Sequence, residues 1–266
     1  MMGGMVKRCV GVLGGMGPEA TILFMQRVLA GVSANDDADH IPLLVDQNPQ
    51  VPSRIAALIE GTGEDPAPTL CAMAKRLESV GAEALVMPCN TAHAYAPAIA
   101  ASVSVPFLSM IDLAADALAA RAPGAAVGML VSPAVKQASI FEATFSERGL
   151  TPVYADDQEG LLAAIRLLKR NAADREALEM TSRVAHQLRG AGASIVLVGC
   201  SEFSLLADTI AGEVTVIDSV DVLVDATVAF SRHEERPDGR FHKAARRPGA
   251  SISQNQPGPI TREAAE

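Results

Sequence analysis

The sequence predicts an α/β protein of two pseudo-symmetric domains, each a parallel sheet flanked by helices, with the active site in the cleft between them. Three observations carry that expectation. Short apolar runs alternate with helix-length segments through the first 130 residues. A stretch of the first half recurs, without a gap, 111 positions later. Each copy of that stretch ends on a cysteine.

The elements follow in order. Val10-Gly-Val-Leu13 reads as a buried strand and Ala20 to Val32 as a helix; Pro42-Leu-Leu-Val45 is a second strand and Pro68 to Val80 a second helix. Ala84 to Met87 is a third strand, with a helix across Pro97 to Val103. Strands this short, without polar alternation, belong to parallel sheets, because crossover helices cover both faces.

The repeat aligns Leu77-x-x-x-Gly81-Ala82 and Ala84-Leu-Val-Met-Pro-Cys89 with Leu188-x-x-x-Gly192-Ala193 and Ser194-Ile-Val-Leu-Val-Gly-Cys200. In each copy a glycine stops a helix, a buried strand follows, and a cysteine stands at the strand's end. Val10-Gly-Val-Leu13 and Val127-Gly-Met-Leu130 are a second matching pair. The expected division is 1–113 plus 217–232 for the first domain, 114–216 for the second, and 233–266 for a disordered tail rich in charge and turn formers. Ligands of open parallel sheets gather at the carboxyl ends of strands, so the two cysteines are expected on opposite sides of one small molecule.

A net charge of −9 argues against nucleic acid as a partner, since phosphate binding needs surplus Lys and Arg. No apolar run reaches the length of a membrane span, and the start lacks the layout of a signal peptide. The expectation is a cytoplasmic protein without a membrane or nucleic-acid partner. Cys9, Cys71, Cys89 and Cys200 show no zinc-site spacing, and a reducing compartment keeps them as thiols. Cys9, in a strand, and Cys71, in a helix, read as structural.

Cys89 and Cys200 both precede a helix start, where free N–H groups favour thiolate over thiol, so a lowered thiol pKa is expected. One thiolate and one opposing thiol are what inversion at a carbon needs: one takes a proton from one face while the other supplies a proton to the opposite face. Gly14-Gly-Met-Gly17-Pro lacks the Lys-Ser/Thr of a phosphate loop and the glycine spacing of a dinucleotide fingerprint. It reads as a turn with backbone N–H groups open to a carboxylate.

Together, Gly-Gly-Met-Gly-Pro-Glu-Ala-Thr21, Pro-Cys-Asn-Thr-Ala-His93 and Gly-Cys-Ser-Glu202 resemble the aspartate/glutamate racemase family, in particular its aspartate-racemase branch, over about Val6 to Phe230. That resemblance implies racemisation of an acidic amino acid, aspartate favoured over glutamate, with no pyridoxal phosphate or metal, in a homodimer. It carries Cys89 and Cys200 over as the catalytic pair. Met16, Asn90 and Thr91 become substrate neighbours, as do Ser201 and Glu202; Arg54 faces a substrate carboxylate and Lys169 is a second cation. His93 either orients the first cysteine or is satisfied by backbone. Glu202 either supports the Cys200 loop or caps the helix after it. Ser201 replaces the usual threonine and Ser53 the usual aspartate, which bears on substrate preference. Rival readings are another enzyme of this scaffold (a hydantoin racemase, maleate isomerase or arylmalonate decarboxylase) or a non-catalytic binding protein.

Overall fold

The computed structural model describes residues 6–211 and 215–234. From residue 235 onward, the expected tail lies outside them. β1 (Val10–Gly14), β2 (Leu43–Gln47) and β3 (Ala84–Val86) form one parallel sheet in the order β2-β1-β3. β4 (Ala126–Val131), β5 (Thr151–Tyr154), β6 (Ile195–Gly199) and β7 (Val216–Asp218) form a second, in the order β5-β4-β6-β7. Every pairing is parallel. In each sheet the earliest strand, β1 or β4, lies inside, and the cysteine-bearing strand, β3 or β6, pairs beside it.

The helices are α1 (Pro18–Ala30), α2 (Ala67–Ser79), α3 (Ala96–Ser102), α4 (Met110–Arg121), α5 (Pro133–Gln137), α6 (Glu142–Glu147), α7 (Gln158–Leu168), α8 (Arg175–Gly190), α9 (Ala207–Ala211) and α10 (Ser219–Ser231). α8 shows why these segments are helical. Asp174 caps it by accepting from the Ala177 N–H at 3.0 Å, and Ala177, Thr181, Val184, Ala185 and Leu188 line its buried stripe. None of the helices among the described residues is long and apolar enough to cross a membrane.

The repeat is a packing unit, visible atom by atom. Gly81 (φ +105°) and Gly192 (φ +95°) take the left-handed conformation that stops α2 and α8. The next residue turns the chain back: Ala82 N–H donates to the Leu77 carbonyl at 3.0 Å, and Ala193 N–H to that of Leu188 at 3.1 Å. A Cβ on Gly11 of β1 would meet Leu85, Ala82 and Leu77; one on Gly128 of β4 would meet Leu188, Ala193 and Val196. These are the same three positions of the repeat. At 2.7–3.2 Å those contacts are too close for a side chain, so both glycines let a helix seat on its sheet.

β7 adds to the second sheet, and the chain then returns to the first half. On α10, Val220, Leu223 and Val224 share a core with Val10 of β1 and with Phe24 and Val28 of α1. The sequence put this crossing at 217, inside β7, whereas Ile217 and Asp218 pair with β6 and the chain crosses at Ser219. α4 bridges the halves from the other side: Met110 and Leu113 join that same core, whereas Ile111, Ala114 and Leu118 pack with β4 and α6.

Candidate active site

Parallel strands end on a common edge, so the turns after β1, β3, β4 and β6 carry the site. Cys89 lies three residues beyond β3 and Cys200 directly after β6, and both are almost wholly buried, at 6% and 5% exposure. Cys9 stands just ahead of β1, not within it, at the strand end remote from the site, and Cys71 sits on α2; both are half-buried.

Each cysteine is held by a different device. Behind Cys89, the ring of the buried His93 hydrogen-bonds at both nitrogens: Nδ1 to the Cys89 carbonyl at 2.9 Å and Nε2 to the Met110 N–H at 3.0 Å. A backbone N–H can only donate, so Nε2 accepts and Nδ1 carries the proton. Burial pushes the imidazole pKa down to about 4, so His93 is neutral. It therefore does both things the sequence left open: it is satisfied by backbone, and it fixes the Cys89 loop.

Behind Cys200, the Phe203 and Ser204 amides donate to the Cys200 carbonyl at 2.9 and 3.1 Å. Ser204 Oγ donates to the buried Asp218 at 2.7 Å, and Arg27 of α1 donates to Asp218 at 2.6 Å and to the Ser204 carbonyl at 2.6 Å. A helix of the first half thus clamps the loop of the second.

The thiols themselves correct the expectation of lowered pKa. An N–H does face each sulfur, Ala92 for Cys89 and Glu202 for Cys200, and pulls the pKa down. Burial is the larger effect and pushes both thiols up, Cys200 well above its ordinary value. Their second neighbours differ. Arg54 counteracts the rise at Cys89; the Glu202 carboxylate adds to it at both sulfurs, and at Cys200 does so by a hydrogen bond as well as by its charge. Cys200 Sγ donates to Glu202 Oε2 at 3.2 Å, and the other carboxylate oxygen accepts from Lys169 Nζ at 2.6 Å. Glu202 makes no helix-capping hydrogen bond. Lys169 lies close enough to act electrostatically on both sulfurs.

Around them the cleft carries two unsatisfied polar atoms. Asn90 is 2% exposed; its Nδ2 donates to Ser219 Oγ at 3.0 Å, while its Oδ1 is buried with no partner. Arg54 spends one terminal nitrogen on the Val51 and Pro52 carbonyls, at 3.1 and 2.8 Å, and its Nε is buried and unpaired. Orphaned buried groups each cost about 1–3 kcal/mol, so the open Asn90 acceptor and Arg54 donor on the Cys89 side are groups that a ligand can satisfy.

Thr91 and Ser132 hydroxyls meet at 3.0 Å, joining the β3 turn to the β4 turn. Met16 is buried in one cluster with Cys89, and Ser201 is buried next to Cys200 in the chain. The glycine turn overhangs the far side: a Cβ on Gly17 would lie 3.7 Å from Lys169 Nζ and 3.8 Å from Glu202 Oε1. It is less open than expected, because the Gly15 N–H already donates to Thr21 Oγ1 at 2.9 Å. Sequence reasoning missed Ser132, Ser219 and the Arg27–Asp218–Ser204 clamp. Ser132 was findable as the first residue after β4, two positions beyond the repeated Val127-Gly-Met-Leu130.

Residues 13–227 match the sequence profile of the family described as Asp/Glu/Hydantoin racemase. The chain is 25% identical over 234 residues to the broad specificity amino-acid racemase RacX of Bacillus subtilis (strain 168), a match covering 83% of this chain and 96% of that one. Among solved structures, Picrophilus torridus aspartate racemase is similar at a TM-score of 0.77 and 28% identity, over 89% of this chain and 99% of that one. The glutamate racemase RacE1 of Bacillus anthracis shares the fold at a TM-score of 0.62 and 19% identity, over 86% of this chain and 83% of its own.

Proposed function

The chain belongs to the Asp/Glu/hydantoin racemase family, and we propose that it racemises an acidic amino acid, aspartate ahead of glutamate, by two-base proton transfer between Cys89 and Cys200. The names of the relatives support amino-acid racemisation. The observation that carries the mechanism is the paired burial of two thiols at equivalent strand ends, both within the field of Lys169.

Each residue then has a task. Arg54 Nε donates to the side-chain carboxylate and gives the site its preference for acidic substrates. Asn90 Oδ1 accepts from the α-ammonium. Lys169 supplies a second cationic contact, and Met16 closes the apolar wall. Of the two buried thiols Cys89 gives up its proton the more readily, because Arg54 counters the rise that burial imposes on it, and it acts as the base; Cys200 acts as the acid because its S–H is held by Glu202. A Cα proton leaves to Cys89 as Cys200 delivers one to the opposite face, and the roles exchange for the other enantiomer. This chemistry needs neither pyridoxal phosphate nor metal.

The test is solvent-deuterium exchange with chiral product analysis on purified protein. Wild type brings deuterium into the inverted product from either enantiomer of aspartate. Cys89→Ala and Cys200→Ala each lose inversion by roughly 10² to 10⁴-fold or more, since one positioned proton carrier is gone. Each variant exchanges the α-hydrogen of one enantiomer without inverting it, and the two variants choose opposite enantiomers. If both choose the same enantiomer, or Cys200→Ala still racemises at the wild-type rate, another group is the second base.

A further inference from the structure

We propose that Glu202 is a proton carrier between Cys200 and solvent, and that it resets the free enzyme after each turnover. The inference rests on the two-thiol reading above.

A two-base racemase ends a turnover with its own proton on the wrong sulfur: once Cys89 has taken a proton and Cys200 has given one, the free protein holds a Cys89 thiol and a Cys200 thiolate. Another turnover in the same direction requires the reverse arrangement. Cys200 is 5% exposed, so direct contact between its sulfur and water is poor. Glu202 spans the gap. One carboxylate oxygen lies 3.2 Å from Cys200 Sγ and the other 2.6 Å from Lys169 Nζ. The Glu202 side chain is 12% exposed and that of Lys169 39%, so polarity and exposure both rise from sulfur to rim.

The step balances as follows. Water gives one proton to the Glu202 carboxylate, forming the carboxylic acid and hydroxide; the acid passes a proton to the Cys200 thiolate, restoring carboxylate and thiol. Cys89, drawn toward its thiolate by the Arg54 charge, gives the proton it gained to the hydroxide that Glu202 leaves behind, so the net change is one proton moved between the sulfurs. For the opposite direction the thiol gives its proton to Glu202, which releases it to water. Lys169 keeps its charge throughout and holds the carboxylate in place. Each sulfur faces a backbone N–H, but Glu202 hydrogen-bonds the Cys200 sulfur and reaches Cys89 only through its field, so the relay is built on Cys200.

Glu202→Gln is nearly the same shape, still accepts the S–H, and cannot carry a proton. When resetting limits turnover, the loss falls on kcat and widens as substrate concentration rises, up to the roughly 10²-fold lower bound for a positioned proton-transfer group. A small mobile acid such as imidazolium, added at constant pH and ionic strength, then substitutes for the carrier. The expected result is a Glu202→Gln rate that climbs with imidazole concentration at saturating aspartate, beside a wild-type rate indifferent to it. Glu202→Asp, which keeps a titratable group, is intermediate and is the variant to use if the amide one does not fold. An equal loss at every substrate concentration with no response to imidazole, or a change in KM alone, would overturn the relay and leave Glu202 as a loop support or substrate contact. Failure of the two-thiol reading shows separately, in a Cys200→Ala variant that still racemises.

Discussion

His93 offers a perturbation whose size follows from its surroundings. Its ring is buried, with Nε2 occupied as an acceptor by the Met110 N–H, so a second proton has nowhere to go without breaking that bond. The folded imidazole titrates near 4, against 6.5 when exposed in the unfolded chain. Because the folded value is the lower one, the unfolded chain binds protons first as pH falls. Stability is therefore complete above 6.5, is lost progressively below it, and stops falling once the pH passes below about 4. At 1.36 kcal/mol per pH unit the whole window is worth about 3 kcal/mol, of which about 2 are gone by pH 5. That is a large part of the 5–15 kcal/mol typical of a domain.

Urea denaturation at pH 7.5, 6 and 5 measures this loss, with His93→Gln as the control that removes the group. The variant starts lower, because two buried hydrogen bonds change, but its stability falls about 2 kcal/mol less over the same range. In the wild type, the proton NMR shifts of the His93 ring stay those of neutral imidazole down to pH 5. Parallel stability curves for the two proteins, or a His93 ring that titrates near 6.5, would refute the reasoning. Activity loss should track the same titration, since the protonated ring no longer holds the Cys89 loop against Met110.

Two further outcomes follow from the cleft. Arg54→Ala removes one buried charged donor of about 1.5–3 kcal/mol, so kcat/KM for aspartate should drop roughly 10- to 100-fold while neutral amino acids lose far less; an equal loss on both would make Arg54 structural or a ligand of the α-carboxylate. Both thiols have folded pKa values above their ordinary 9.0, so the unfolded chain loses protons first and stability should decline as pH rises past 9. Denaturation between pH 8 and 10 checks this, and Cys200→Ala should flatten the decline; an unchanged slope in that variant would assign it elsewhere.

What could be read from the sequence, and what could not, divides along a physical line. The repeat was legible because its parts act within about a dozen residues: Leu77, Gly81 and Ala82 close a helix onto the strand that leads to Cys89, and Leu188, Gly192 and Ala193 do the same for Cys200. Hydrogen bonding at a strand's end is local in the same sense, so the positions of Asn90, Thr91 and Glu202 beside their cysteines came with the motif. The clamp on Cys200 is different. Arg27 and Asp218 stand 191 residues apart, and only the docking of α1 beside α10 brings them together. The thiol pKa values failed to follow local logic for a related reason. A helix N-terminus is a property of a few neighbouring N–H groups and lowers the pKa, as expected. Exclusion of water is a property of both halves closing over the site, and it outweighs those few dipoles at both sulfurs. The same closure makes the sulfurs poor at trading protons with water, so a carboxylate bonded to Cys200 is chemically useful where a more exposed thiol would need none.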